Sequence, residues 1–353
     1  DITQIIPGVK KDAVFRKGHI ITKEDIPVLL GVGKDTIYIW ENDDTMMHEN
    51  EAAQVLYRMC VYGTNSNETD TKRHCEAAES GDSDSSVSKM HPSSVKEGKI
   101  EVIADCDGLL KVDSEKLKKV NSFGEMMIAT RHGNTTVKKG DKLAGTRIIP
   151  LVIKKDKLEA ASHICDDGPI LDIKPFVVRK AAIITTGNEV YHGRIQDAFT
   201  PVIEKKIAEF GAQMIFHEVF DDDDKKITDG CLRAIEAGAE IVFCTGGMSV
   251  DPDDKTPLAI KNTGARIVSY GSPVLPGAMF LLSYYDAGDR LVPICGLPGC
   301  AMYNKRTIFD IVLPRLMARD MILADELAGL GEGGLCLNCD VCTFPNCGFG
   351  KGF

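Results

Sequence analysis

The chain has 353 residues, with 42 Lys+Arg against 52 Asp+Glu and a formal net charge of -10. That acidic balance argues against nucleic acid as the main partner, because phosphate backbones select concentrated Lys and Arg. No apolar run approaches the ~18 residues of a membrane span and no charged-then-apolar segment opens the chain, so no membrane partner is expected and a soluble cytoplasmic protein is the starting reading. With 43% hydrophobic and 27% charged residues the composition is that of a globular protein, and at roughly 150 residues per domain it holds two or three cores. The chain opens on Asp1 rather than Met, so a few residues are expected to precede it.

In chain order, residues 1–64 read as an N-terminal α/β segment of linker type. A short helix is expected over 26–30, with Thr22 and Asp25 as its cap and the carboxylate three residues on. Residues 36–40 are β-branched and aromatic, hence a strand, and Asp43 and Asp44 are placed to cap a helix over 45–59. Residues 65–95 are dense in Ser, Asp, Glu and Thr and cannot bury enough surface to offset ordering entropy, so a flexible insertion is expected. Residues 96–176 read as a small α+β unit. It has a hairpin around Asp107-Gly108, a helix over 116–121, a strand over 124–129, and a turn over 137–141 before a strand at 151–153.

From residue 177 to 320 the pattern becomes regular. Strands at 177–185, 213–219 and 240–245 alternate with helices at 201–210, 226–237 and 257–262. A hairpin follows (280–285 and 291–295), and a closing helix over 302–317. Such alternation implies right-handed crossovers and a mostly parallel sheet, an α/β fold. Three small-residue loops follow strands of this sheet: Thr185-Thr186-Gly187-Asn188-Glu189, Thr245-Gly246-Gly247-Met248-Ser249, and Gly296-Leu297-Pro298-Gly299. In open α/β sheets the ligand crevice lies beyond the carboxyl ends of the strands. Glycines there let backbone N–H groups approach an anion, and helix N-termini add favourable dipoles. A phosphate-bearing ligand fits such a rim. Glu189, Asp221, Asp222 and Asp254 gather on the same side. Carboxylates beside a phosphate call for a hard cation, and Mg²⁺ held by one or two of them is the usual solution. The run Asp221 to Asp224 also fits a solvated helix N-terminus.

The stretch TTGNEV from Thr185, CTGGMSV from Cys244 with Asp254, Pro276-Gly277 and the GLPG from Gly296 resembles the molybdopterin-binding domain. That domain is shared by molybdopterin molybdenumtransferases, the gephyrin family and molybdopterin adenylyltransferases. The resemblance covers about 177–319, and more weakly 15–33. It implies a three-layer α/β domain that takes adenylylated molybdopterin and inserts molybdate with Mg²⁺ and release of AMP. It also implies a homodimer and molybdenum-enzyme apoproteins as downstream partners. Carried over, Thr186, Gly187, Asn188 and Glu189 belong to the first binding loop, Thr245, Gly246, Gly247 and Ser249 to the second, and Gly296, Pro298 and Gly299 to the third wall. Asp254, Asp221 and Glu189 take the catalytic places, and Asp254 with Asp222 the metal.

The departures bear on activity. Asn188 stands where the family has Asp, and Asp251 where it has Gly. Ala278-Met279 replaces the Lys-Pro of a PGKP motif, which removes a cation beside an anion such as molybdate. Cys300-Ala301 follows the third loop, and Asp197-Ala198-Phe199 replaces an Asp-Ser-Asn. No C-terminal β-barrel like that of the transferases is expected. Two further readings therefore stand beside the transferase: a non-catalytic molybdopterin carrier or sensor, and a nucleotide-pyrophosphate hydrolase.

The chain has 12 Cys. Eight are scattered through patterned segments and read as small buried hydrophobes. The other four, Cys336, Cys339, Cys342 and Cys347, lie in a Gly/Cys-rich tail, 321–353. Thiols so close call for a metal, either an iron–sulfur cluster or a zinc ion, while a disulfide staple is disfavoured in a reducing compartment.

Overall fold

The computed structural model describes residues 2–6, 10–15, 19–37, 43–63, 88–249 and 254–352. The chain divides into two compact units, Asp1–Thr45 and Met46–Phe353. In the first, β1 (Ile2–Ile6) and β2 (Lys10–Phe15) pair antiparallel, and a 3-10 turn at Lys23–Asp25 runs into the helix Ile26–Gly31. Thr22 and Asp25 do pair, but they cap the 3-10 turn rather than the helix itself: Asp25 accepts from the Thr22 N–H at 2.8 Å and from its hydroxyl at 3.0 Å. The strand expected at 36–40 lies mostly outside the described residues, and Thr36 and Ile37 belong to no regular element.

The second unit opens with a correction. Met46–His48 is a strand, β3, because it pairs with β10 (Val152–Lys154), and the helix begins after it as Glu49–Val61. Asp43 holds a turn instead of a helix, accepting from the Thr45 N–H and hydroxyl. Next come β4 (Met90–Pro92), β5 (Ile100–Ala104), β7 (Met126–Thr130) and β9 (Lys142–Ile148), in a sheet of order β4-β5-β9-β7. A second sheet, β11-β6-β8, joins Leu171–Lys174, Gly108–Val112 and Thr135–Val137. The hairpin expected at Asp107-Gly108 does not form, since β5 and β6 leave that turn into different sheets. Gly108 answers a packing demand: a Cβ there would meet Ile173 Cγ2 at 2.5 Å. β4 also takes the end of the expected flexible insertion into the sheet, and 64–87 lie outside the described residues. The helices Glu49–Val61, Ser114–Ser122 and Lys155–Ser162 share one apolar core with these strands, built on Leu56, Met59, Ile100, Leu143 and Leu158.

The C-terminal domain is an α/β fold around six strands: β12 (Lys180–Thr186), β13 (Gln213–Phe220), β14 (Ile241–Thr245), β15 (Arg266–Tyr270), β16 (Leu281–Asp286) and β17 (Leu291–Leu297). Their order is β13-β12-β14-β17-β16-β15, with the first four parallel and β16 antiparallel to both neighbours. Both faces are buried, so the strands read as apolar runs rather than alternations. Ala181, Ile183 and Phe243 enter one core with Ile203, Phe309 and Val312. Ala182, Ile184 and Val242 enter the other with Ile227, Ala234 and Ile260. Helices Phe199–Ala208 and Ile308–Met317 therefore cover one face, and Asp224–Glu236 and Thr256–Asn262 the opposite one. Register sets Thr186 opposite Phe220, Thr185 opposite Thr245 and Thr245 opposite Leu297, so four carboxyl ends finish level.

The closing helix starts at Ile308, six residues later than its pattern suggests. Thr307 stops it there: its hydroxyl accepts from the Phe309 N–H at 3.2 Å while Asp310 accepts from the Thr307 N–H at 2.9 Å. This is a buried reciprocal cap, so Thr307→Ala should cost about 1–2 kcal/mol. The check is a urea midpoint that falls with no change in slope.

Candidate functional site

At the level carboxyl rim the first two loops are clasped together by hydroxyls. The Thr186 Oγ1 lies 3.1 Å from the Thr256 Oγ1, and Thr256 donates to the Gly246 carbonyl at 2.9 Å. Gly246 has φ +82, and a Cβ on it would meet the Thr186 carbonyl oxygen at 2.1 Å. Gly247, at φ +54, would meet the Thr256 hydroxyl at 2.8 Å. The two glycines are thus required by close backbone approach between neighbouring strand ends. Gly187, at φ +135, leads into the single helical turn Asn188–Tyr191, which sets Asn188 and Glu189 out on the exposed side.

Of the expected ligand-binding residues, Thr186, Gly187, Asn188, Gly246, Gly247 and Ser249 come together on this rim. Thr245 is fully buried beneath it, and its hydroxyl has no hydrogen-bond partner among the described residues. Gly296 lies in β17 and makes room for Met248, whose Cε a Cβ there would meet at 2.5 Å. It shapes the second loop from below. Pro298 is buried, whereas Gly299 is exposed with open space where a Cβ would point. The third loop leads into a 3-10 turn, Gly299–Ala301, and not directly into a helix.

The acidic run splits in two. Asp223 is the N-cap of Asp224–Glu236, accepting from the N–H groups of Lys225 and Lys226, so this half is the helix start anticipated from charge. Asp221 and Asp222 turn to the rim. Lys226 Nζ reaches Asp221 Oδ2 at 2.7 Å, and Asp221 Oδ1 is buried with no partner among the described residues. Asn188 reaches Asp222 Oδ2 through its side-chain amide at 2.7 Å and its N–H at 3.3 Å. Burial first, and then the charges of Glu189, Asp254 and Asp221, push the Asp222 carboxyl above its ordinary range despite the Asn188 N–H. Burial and the Asp254 charge likewise push the Tyr270 phenol up. Asp254 therefore acts on the same acidic group from the far side of the second loop. Among the described residues no three His, Cys, Asp or Glu side chains stand as a preformed set for one metal ion.

Thr256 and Tyr270 are two rim residues that the sequence pattern does not single out. Thr256 opens a short helix two residues after Asp254, and a hydroxyl there is the available signal. Tyr270 ends β15, whose RIVSY run carries β-branched residues that mark a strand; its hydroxyl lies 3.5 Å from the Met248 and Ser249 carbonyls. Behind the rim, Thr185 Oγ1 reaches Asp197 Oδ2 at 3.0 Å, and Asp197 accepts from the Phe199 N–H at 2.8 Å. Asp197, one residue ahead of the N-cap Ala198, thus satisfies the first N–H groups of the helix Phe199–Ala208, the Thr200 N–H included at 3.2 Å.

Residues 182–318 match the family profile described as "Probable molybdopterin binding domain". These residues form a domain of the molybdopterin-binding family. Residues 1–41 match a second profile, "Domain of unknown function (DUF8806)". Among curated relatives, a protein of Bacillus velezensis named as competence-damage inducible is 29% identical over 26% of this chain and 21% of its own. A molybdopterin molybdenumtransferase of Nostoc sp. is 24% identical over 54% of this chain and 42% of its own. The chain spans about one fifth of the length of the first of these relatives. Among solved structures, the tungsten cofactor synthesizing protein MoaB from Pyrococcus furiosus aligns with 40% of this chain and 89% of its own, at 18% identity and a TM-score of 0.31. Among the described residues no helix is long and apolar enough to cross a membrane.

Proposed function

We propose that the rim binds the phosphate end of adenylylated molybdopterin and that the chain is a molybdopterin molybdenumtransferase, inserting molybdate with release of AMP. The observation that carries this reading is the crowding of Asp221, Asp222, Glu189 and Asp254 against a glycine cradle. An anion would be repelled there unless a cation came between. The orphaned Asp221 Oδ1 and the raised Asp222 carboxyl are the features a divalent cation relieves, so the residues fit Mg²⁺. Asp222 and Asp254 would hold it, and the bound ion would supply charge neutralisation at the phosphoanhydride that releases AMP. Thr186, the Gly246-Gly247 turn and Ser249 would orient the phosphate, and Asn188 would hold the Asp222 carboxylate in place.

Two measurements separate the metal from the turnover. Mg²⁺ at about ten times its dissociation constant should stabilise the folded protein by about 1.4 kcal/mol, and Asp222→Asn should abolish most of that gain while leaving the metal-free protein no less stable. Asp254→Asn should reduce Mg²⁺-dependent AMP release from the adenylylated pterin at least tenfold. Undiminished release would remove Asp254 from the metal. A carrier reading is favoured by one observation: Ala278 and Met279 bring no cation, and Gly277 is committed to packing against Ile308. Stoichiometric pterin without AMP release would establish the carrier. Turnover of nucleotides that lack a pterin would move the reading to a pyrophosphate hydrolase.

A further inference from the structure

The four tail cysteines serve no part of the rim, yet Cys336, Cys339, Cys342 and Cys347 all line one cavity of about 240 Å³. The segment that carries them has no regular secondary structure over 336–352, but it is tied down. The Gly350 N–H donates to the Gly333 carbonyl at 3.0 Å, closing a loop that contains all four thiols. Gly333 and Gly350 both have positive φ, and a Cβ on Gly333 would meet the Gly348 carbonyl at 2.7 Å. Cys336 and Cys347 pack on the core of the C-terminal domain. None of the four is in a disulfide.

The cavity is dressed for a multiply charged anionic group. Lys305 and Arg306 form part of its wall, and Arg306 lies over the Phe344 ring at 5.0 Å while pairing with Asp310 at 2.8 Å. Four thiolates around a metal carry net negative charge, and neighbouring cations compensate it. What separates the candidate metals is spacing. A structural zinc ion takes its cysteines as separated pairs, each two to four residues apart, whereas Cys336, Cys339 and Cys342 follow one another at two-residue gaps with Cys347 downstream. An iron–sulfur cube instead offers a separate iron corner to each of four cysteines around a wider centre, as the three closely spaced cysteines and a fourth downstream arrange them.

We infer that Cys336, Cys339, Cys342 and Cys347 bind a four-iron, four-sulfide cluster in this cavity. The site stands apart from the pterin reading but adjoins the same loops. The Leu275 N–H donates to the Gly334 carbonyl and the Cys336 N–H to the Leu275 carbonyl, both at 2.8 Å, immediately before Pro276-Gly277. Lys305 follows the third loop by only six residues.

The test is the metal and sulfide content of the full chain purified without oxygen, before and after addition of ferrous iron and sulfide. Iron and acid-labile sulfide should approach four each per chain, with visible absorption that bleaches on reduction. Cys339→Ser should lose more than half of both, whereas Cys300→Ser, outside the cavity, should retain them. One zinc per chain, iron without sulfide, a different stoichiometry, no metal after reconstitution, or full loading of Cys339→Ser would each overturn the assignment. If a variant fails to fold, the iron and sulfide content of the unsubstituted chain decides between cluster and zinc by itself. Pterin content plays no part in this readout, so the two proposals stand or fall separately.

Discussion

Asp320→Ala should destabilise the second unit by about 3–5 kcal/mol, a large share of the stability of a single domain. Asp320 is only 5% exposed and gathers three cations from three elements. Lys111 of β6 reaches it at 2.8 Å, Lys174 of β11 at 2.5 Å, and Arg315 of the closing helix at 2.6 Å. Arg315 keeps Glu326 at 2.8 Å after the change, but Lys111 and Lys174 lose their buried counter-charge. Because Lys111 and Lys174 belong to the middle α+β region and Arg315 to the α/β domain, the loss falls on the junction between them. Urea unfolding should show a lower midpoint, and limited proteolysis should cut near 175–180 sooner than in the parent protein. The pH dependence gives the sign. Burial alone would raise the Asp320 carboxyl, but the three cations outweigh it and hold it at about 2. A carboxyl held below its unfolded value of about 3.9 contributes stability that is fully present above that value. The contribution is lost as the pH falls toward about 2, so the parent protein should lose more stability than Asp320→Ala across that window. Equal acid sensitivity of the two would mean that the cations do not depend on Asp320.

The outcome at Asp320 also shows what the sequence could and could not disclose. The α/β architecture was legible because both faces of β12 and β14 are buried, which turns strands into short apolar runs punctuated by glycine-ended helices. The three loops were legible because Gly187 and Gly246-Gly247 punctuate strand ends at matching places. The middle region was harder. Met46–His48 reads as the start of a helix until Val152–Lys154 is known to lie beside it, and Asp107-Gly108 reads as a hairpin until the two strands are seen to join different sheets. These are pairings between residues about a hundred positions apart in the first case, and a tertiary choice between two sheets in the second; local pattern records neither. The same limit hid the acidic rim's internal order. Four consecutive aspartates look equivalent in sequence, yet Asp223 caps a helix while Asp221 and Asp222 face the loops, because a helix start sends successive side chains in different directions. Asp320 and its partners, separated by up to 209 positions, left no local trace at all.

Gly246→Ala should weaken pterin binding at least tenfold, about 1.4 kcal/mol of binding free energy, and lower the unfolding free energy by about 1–3 kcal/mol. Two independent costs meet at this position. The backbone sits at φ +82, where an L side chain is strained, and the added methyl would stand 2.1 Å from the Thr186 carbonyl oxygen. That oxygen belongs to the end of β12 and cannot swing aside like the tip of a long side chain, so the turn must move and take Gly247 and the Thr256 hydroxyl with it. Gly299→Ala is the informative companion. Its Cβ meets nothing within 4 Å, and its φ is not positive, so the free protein should change by less than about 0.5 kcal/mol. Any loss of affinity in Gly299→Ala then reports contact with the ligand itself, because the protein alone gives no reason for one. If both variants bind molybdopterin as the parent does, the rim is not the binding site. If Gly246→Ala loses affinity and Gly299→Ala keeps it, the ligand rests on the first two loops and the third serves to hold Met248 beneath them. Loss in both would place the ligand across all three strand ends, which is the arrangement their level register permits.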